Sequence, residues 1–356
     1  MIARLSLSSI ANKFAKKRSF LAGNLYAVYK FFAVGHTLGA RISVYPWNNS
    51  TGLGTQYVNL TPAITNEGQQ VTFNPSNTAL ALGINASPAV NVYSWNPITG
   101  GFGTKYANPA TLPGIDGQGI SFNPIGTVIA IGSNGTPNIY LYPWNDSTGF
   151  GTKYADPATV PSGNVRDVAF NPANTVFALA WGTTPFVYAY PWNDSTGFGT
   201  KYADPSTLPA GICRNINFNP AGNVLALAME TTPFVTAYAF SNGFGTRYSN
   251  PATLPTGTGT SAVFNTAGNA IAVSHSTSPF ISVYSWSSGF GTKFANPAVL
   301  PAGNTFSADF DSTDAFLALG GSSVTDIYNW NNSTGFGTKF TSITPEGTNN
   351  GVTFSN

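Results

Sequence analysis

The chain is poor in the residues that carry most enzyme chemistry. Its 356 residues include one cysteine and two histidines. The lone Cys213 excludes an intrachain disulfide and any cysteine-based metal cluster. Charged residues make up 8%, against about 25% in typical globular proteins. No run approaches the ~18 apolar residues of a membrane helix, so no membrane span is expected. No continuous apolar stretch near the N-terminus reads as a secretory signal. Acids are missing from residues 1–40, which hold Arg4, Lys13, Lys16, Lys17, Arg18 and Lys30. The rest carries nine cations and thirteen acids, so a basic arm precedes a mildly acidic body.

What the chain has instead is repetition. GLGTQY, GFGTKY (three times), GFGTRY and GFGTKF (twice) recur, with central glycines Gly54, Gly103, Gly151, Gly199, Gly245, Gly291 and Gly337. The steps are 49, 48, 48, 46, 46 and 46 residues, the mark of one supersecondary unit used many times. One copy reads QQVTFN (69–74), TALALG (78–83), AVNVYSW (89–95) and GFGTKYAN (101–108). Each run is short, rich in β-formers and bounded by turn residues. No body segment shows a helical period over eleven residues. Four short strands per repeat predict an all-β, seven-bladed β-propeller with strands a to d from the axis outward. Residues 1–24 form the arm and 25–356 the propeller.

The C-terminal GVTFSN (351–356) matches strand a alone, and FFAVGH (31–36) and ARISVYPW (40–47) match strands b and c. The C-terminal strand a should therefore pair with N-terminal strands b, c and d, giving six continuous blades and one composite. Phe73, Phe122, Phe170 and Phe218 end strand a, while Trp95, Trp144, Trp192 and Trp286 end strand c. Such strictly repeated aromatics read as inter-blade core.

FNPSNTALALG resembles strand a, the turn and strand b of WD40 repeats, and YSW and YPW stand where that family has its strand-c tryptophan. WN or WS replaces the family's Trp-Asp, and the upstream Gly-His pair is missing. The near-verbatim YPWNDSTGFGTKYADP at 142–157 and 190–205 points to recent duplication. With its TSPF and GFGTKF elements, the repeat is also similar to WD40-like repeats in tailed-phage virion proteins. That resemblance implies a non-enzymatic structural protein of the tail or head surface, located in the virion. The propeller would face outward as decoration, spacer or host-adhesion module. Other virion proteins would be partners through the arm, and a host-surface glycan or protein a second partner class. Two alternatives stand beside it: a soluble cytoplasmic WD40-type protein-interaction scaffold, and a carbohydrate-binding propeller.

The arm carries its own candidates. Ile10, Phe14 and Leu21 fall broadly on one side of a short helix, with Lys16, Lys17 and Arg18 elsewhere. A solvated tail, an anchor on a neighbouring subunit and a phosphate- or membrane-binding segment are the open readings.

In the body, six of nine cations follow the FGT phrase on strand d, where they would discourage edge pairing. Asp146 and Asp194 are expected to cap c–d turns. Asp309, Asp311 and Asp314 cluster without the spacing of a calcium loop. No nucleophile elbow, zinc ligand set or phosphate loop is present, so no catalytic residue, metal or cofactor and no specific nucleic acid are expected. The site candidate is positional. The first residues of strand a vary on a uniform frame: Gln69, Gln70, Gln118, Arg166, Asp167, Arg214 and Asn215. Trp181, Met229, Glu230 and His275 are assigned to b–c loops on the same face. Variation carried on a rigid scaffold is where binding function sits.

Overall fold

The computed structural model describes residues 30–60, 63–322, 325–340, 343 and 347–355. The arm candidates Ile10, Phe14, Lys16, Lys17, Arg18 and Leu21 lie outside these residues.

The first strands are β1 (Lys30–His36), β2 (Ile42–Asn48) and β3 (Gly52–Leu53). The next blade holds β4 (Gly68–Phe73), β5 (Ala79–Ile84), β6 (Val90–Trp95) and β7 (Phe102–Lys105). Then come β8 (Ile115–Phe122), β9 (Val128–Asn134), β10 (Ile139–Asn145) and β11 (Gly149–Phe150). The fourth group is β12 (Val165–Phe170), β13 (Val176–Trp181), β14 (Val187–Asn193) and β15 (Gly197–Phe198). The fifth is β16 (Cys213–Phe218), β17 (Val224–Met229), β18 (Val235–Phe240) and β19 (Phe244–Arg247). The sixth is β20 (Gly259–Phe264), β21 (Ala270–His275), β22 (Ile281–Trp286) and β23 (Phe290–Lys293). Last are β24 (Thr305–Phe310), β25 (Phe316–Gly321), β26 (Thr325–Asn331), β27 (Gly335–Lys339) and β28 (Asn349–Phe354).

These make seven four-stranded antiparallel sheets, a seven-bladed propeller. β28 closes the ring by pairing with β1, Val352 opposite Val34 and Thr353 opposite Ala33, in the sheet β28-β1-β2-β3. The predicted composite blade is therefore present.

Each of the seven blade interfaces holds its own apolar cluster. The repeated phrase builds these interfaces. Its final aromatic reaches into the next blade: Tyr106 meets Trp144 edge-on at 4.8 Å, and Tyr154 meets Trp192 at 4.9 Å. The phenol of Tyr106 also donates to the Asp146 carbonyl oxygen at 2.6 Å. The central glycine leaves room for the strand-c neighbour. A Cβ on Gly54 would lie 2.6 Å from Pro46 Cγ.

Outer strands differ in length, with a local cause. β3, β11 and β15 have two residues, whereas β7, β19, β23 and β27 have four or five. The short ones lie beside Pro46, Pro143 and Pro191 of YPW, which have no N–H to extend the ladder. In the longer blades Ser94, Ala239, Ser285 or Asn329 takes that place. Lys153 and Lys201 thus fall outside any strand. They lie over the Tyr140 and Tyr188 rings and pair with Asp156 and Asp204. Lys339 pairs with the buried Asp326 at 2.9 Å. These cations are engaged within their own blades rather than standing off an edge.

The c–d turns also correct the sequence reading. Asn145, not Asp146, caps the turn by accepting from Ser147 N at 2.8 Å. Asp146 reaches back to the preceding blade. It accepts from Trp144 Nε1 at 2.7 Å and Asn74 Nδ2 at 2.9 Å, and it also takes the Ser76 and Thr78 hydroxyls. Asn74 in turn caps its own a–b turn through Thr78 N and Ala79 N. Asp194 repeats this one blade on, and Asn332 does so with Trp330 and Asn265. Asp146→Ala should lower stability by about 1–3 kcal/mol, since buried donors lose a charged acceptor. Asp146→Asn should cost less, because Asn332 fills the same role. Urea unfolding of both variants checks the order.

Candidate functional site

The innermost strands β4, β8, β12, β16, β20, β24 and β28 are sheet edges, so their outward N–H groups need acceptors. Side chains of the preceding blade supply several. Gln70 Oε1 accepts from Ile120 N at 2.7 Å, Asp167 Oδ2 from Ile216 N at 3.1 Å, and Asn215 Oδ1 from Ala262 N at 2.8 Å. One layer deeper, Asn217 accepts from Phe264 N at 3.4 Å and Asp309 from Phe354 N at 2.8 Å. Polar residues near the start of strand a therefore tie blade to blade around the axis.

The same strands enclose a central channel of about 550 Å³. Gln69, Gln70, Gln118, Arg166, Asp167, Arg214 and Asn215 line it, with Thr260, Ser261, Phe306, Ser307, Asp309 and Asn350. Ladder register aligns one ring of equivalents: Gln69, Gln118, Arg166, Arg214, Thr260, Phe306 and Asn350. The ring is lopsided. Two guanidiniums stand on adjacent blades beside two glutamines, while the far side is neutral. Arg166 Nη1 donates to Gln118 Oε1 at 3.2 Å, and its Nε is buried without a protein acceptor. Ser307 Oγ is likewise buried and unpartnered. Arg214 is exposed and pairs with Glu230 at 2.7 Å.

Two wall carboxyls are perturbed. Burial pushes Asp167 up to about 7, opposed by hydrogen bonds from Ile216 N, Val168 N, Gln70 and Asn215. Burial also pushes Asp309 up to about 7, opposed by Phe354 N and Thr353. Asp311 instead pairs with Lys30 at 3.0 Å, and Asp314 accepts from Thr266 N and Ala267 N. The acidic cluster is dispersed into three separate contacts.

The b–c candidates divide. Glu230 stays on its turn beside Arg214. Trp181, Met229 and His275 are not loop residues. They end β13, β17 and β21 opposite Val165, Cys213 and Gly259, and they are buried. The second strand of each blade lies between two sheets, so its last side chain enters the blade interface. Trp181 packs on Tyr188 at 5.0 Å, and Met229 joins an apolar cluster. His275 Nδ1 contacts the Thr277 carbonyl oxygen at 2.8 Å and its Nε2 the Ser282 hydroxyl at 3.1 Å. Burial lowers its pKa to about 4. Cys213 is buried at the start of β16, where burial pushes its thiol up and makes it a poor nucleophile. Sequence reasoning missed Phe306, and it read Asp309 as part of an acidic cluster rather than as a channel-wall residue. The available signal for Phe306 was an aromatic where every other copy is polar.

Chemically, the channel offers two guanidiniums, amides and hydroxyls to a small polyhydroxylated anion or a polarised carbonyl. Its volume suits a small ligand.

No protein-family model matches the chain, so none supports the expected likeness to WD40 repeats or to phage virion proteins. No curated protein matches it either. Solved structures do. A candidate 6-phosphogluconolactonase of Bacteroides uniformis superposes with a TM-score of 0.73 at 14% identity, over 92% of this chain and 99% of that one. A second, from Bacteroides fragilis, gives 0.73 at 12%, over 93% and 99%. The periplasmic gluconolactonase of Pseudomonas aeruginosa gives 0.68 at 13%, over 92% and 99%. At such identities the likeness establishes the shared propeller fold. It also corrects the sequence reading on function. These three structures carry lactonase names, which contradicts the expectation of a non-enzymatic virion protein of a tailed phage.

Proposed function

We propose that the channel mouth binds a sugar lactone and hydrolyses it to the open sugar acid. The observation that carries this reading is the convergence of Arg166 and Arg214, from adjacent inner strands, on one polar channel. The lactonase names of the similar structures supply the reaction class. Water adds to the ring carbonyl carbon, the ring C–O bond breaks, and the ring oxygen takes a proton. The negative charge that builds on the carbonyl oxygen is what a guanidinium stabilises best in a partly dry site. The product carboxylate suits the same pair of cations. Gln69 and Asn350, on the same ring, would meet sugar hydroxyls.

Proton release from glucono-δ-lactone at neutral pH tests the activity, and calorimetry with gluconate tests the site. Arg166→Ala and Arg214→Ala should each lower kcat/KM or affinity roughly ten- to hundredfold, the worth of a charge-assisted hydrogen bond. Binding without turnover would leave a sugar-acid receptor and remove the hydrolase. Lactone hydrolysis at the buffer rate together with no gluconate binding would refute both.

A further inference from the structure

We propose that Phe306 is a stacking platform that makes the channel select a closed sugar ring over the open-chain acid. This deepens the reading of the channel as a sugar-acid site and rests on it. Phe306 is half-buried in the channel wall at a ring position that is polar in the other six blades. It belongs to none of the seven inter-blade apolar clusters, and among the described residues it stacks on no other ring. It is therefore a large apolar face not spent on the core, set in a ring whose other six members are polar, although apolar residues such as Val71, Ile120 and Val263 also line the channel.

Its neighbour Thr305 is held by the preceding blade. The Thr305 hydroxyl donates to the Phe280 carbonyl oxygen, and the Thr305 carbonyl oxygen accepts from Thr260 Oγ1 at 2.7 Å. Blade order places Phe306 three blades from Arg166, across the channel. A pyranose has an apolar C–H face and a polar rim. Lying on the aromatic ring, it would present its anionic or carbonyl edge toward the guanidiniums. An open-chain acid has no such face and would keep only the polar contacts. The consequence for a lactonase is direct: substrate is held by both walls and product by one, which favours product release.

The test compares two ligands that each carry one carboxylate, methyl β-D-glucuronide with a locked ring and gluconate with an open chain. Calorimetry on the full protein should show Phe306→Ala weakening the glucuronide about five- to tenfold while gluconate changes by less than about twofold. Phe306→Leu should behave like alanine, because bulk without a flat face is not enough, and Phe306→Trp should restore ring binding. Unfolding curves confirm that each variant is folded. If Phe306→Ala weakens both ligands alike, or neither, the platform is refuted while the sugar-acid site stands. If the native protein binds neither ligand, the sugar-acid reading falls and the platform with it.

Discussion

A chain ending at Thr348, without β28, is expected not to fold at physiological temperature. β28 is the innermost strand of the composite blade and the only one donated by the C-terminal segment. Removing it takes Val352 and Phe354 from a cluster that also holds Phe32, Val34, Trp47 and Phe316. Burial of each lost side chain is worth about 1.5–3 kcal/mol, and the residues left behind become exposed as well. The loss also opens β1 as an unpaired edge and removes the hydrogen bonds from Phe354 N–H to Asp309 and from Phe31 N–H to Ser355 Oγ. The total is of the order of the whole stability of a folded domain, about 5–15 kcal/mol. Phe354→Ala alone should cost about 3–5 kcal/mol and remain foldable. Circular-dichroism melting and size exclusion distinguish these outcomes. A truncated chain with the parent's melting curve would show that ring closure contributes nothing.

Stability should fall as pH rises from about 4.5 to 7, the reverse of ordinary acid denaturation. Asp167 and Asp309 stand near 7 in the fold against a reference of 3.8. Between those values the folded state keeps two protons that the unfolded chain has released. His275 acts the other way, since it stands near 4 in the fold against 6.5. Over that range the unfolded chain holds one proton that the fold lacks. The net excess of one proton in the fold implies a loss of about 1 kcal/mol per pH unit. The groups facing these sites are fixed in the fold: Gln70 and Asn215 at Asp167, Asp311 at Asp309, and Lys293 at His275. Urea midpoints measured across this range check the slope. Asp167→Asn or Asp309→Asn should flatten it, and His275→Gln should steepen it. A midpoint that climbs with pH in the native protein would contradict the assignment.

Arg166 and Arg214 also bear on the channel at neutral pH. Arg214 is paired with Glu230, so Arg166, whose Nε has no protein acceptor, is the guanidinium left to meet an anionic ligand.

Much of the architecture was legible because repetition makes each residue type answer the same question seven times. The period, the strand-a phenylalanines and the strand-c tryptophans could only be satisfied by blades packed face to face. The match of GVTFSN to a missing first strand predicted the closure, seen as β28 pairing with β1. The polar variation at the start of strand a was legible too, and it placed Gln69, Gln118, Arg166 and Arg214 on one ring. Other features were hidden because they join residues far apart in the chain. Asp146 looks like a turn cap until the neighbouring blade brings Asn74, Ser76 and Thr78 to it. Trp181, Met229 and His275 look like loop residues until their partners on strand a turn them into the interface.

The amino-acid order alone thus determined the blade number, the strand order and the way the ring closes. Those depend on local alternation and on turns, which neighbouring residues dictate. Only the assembled ring decided that two guanidiniums, an unused aromatic face and two carboxyls pushed up by burial share one channel. Seven separate segments must first converge on an axis, and the charge state of each wall group follows from the water that convergence excludes.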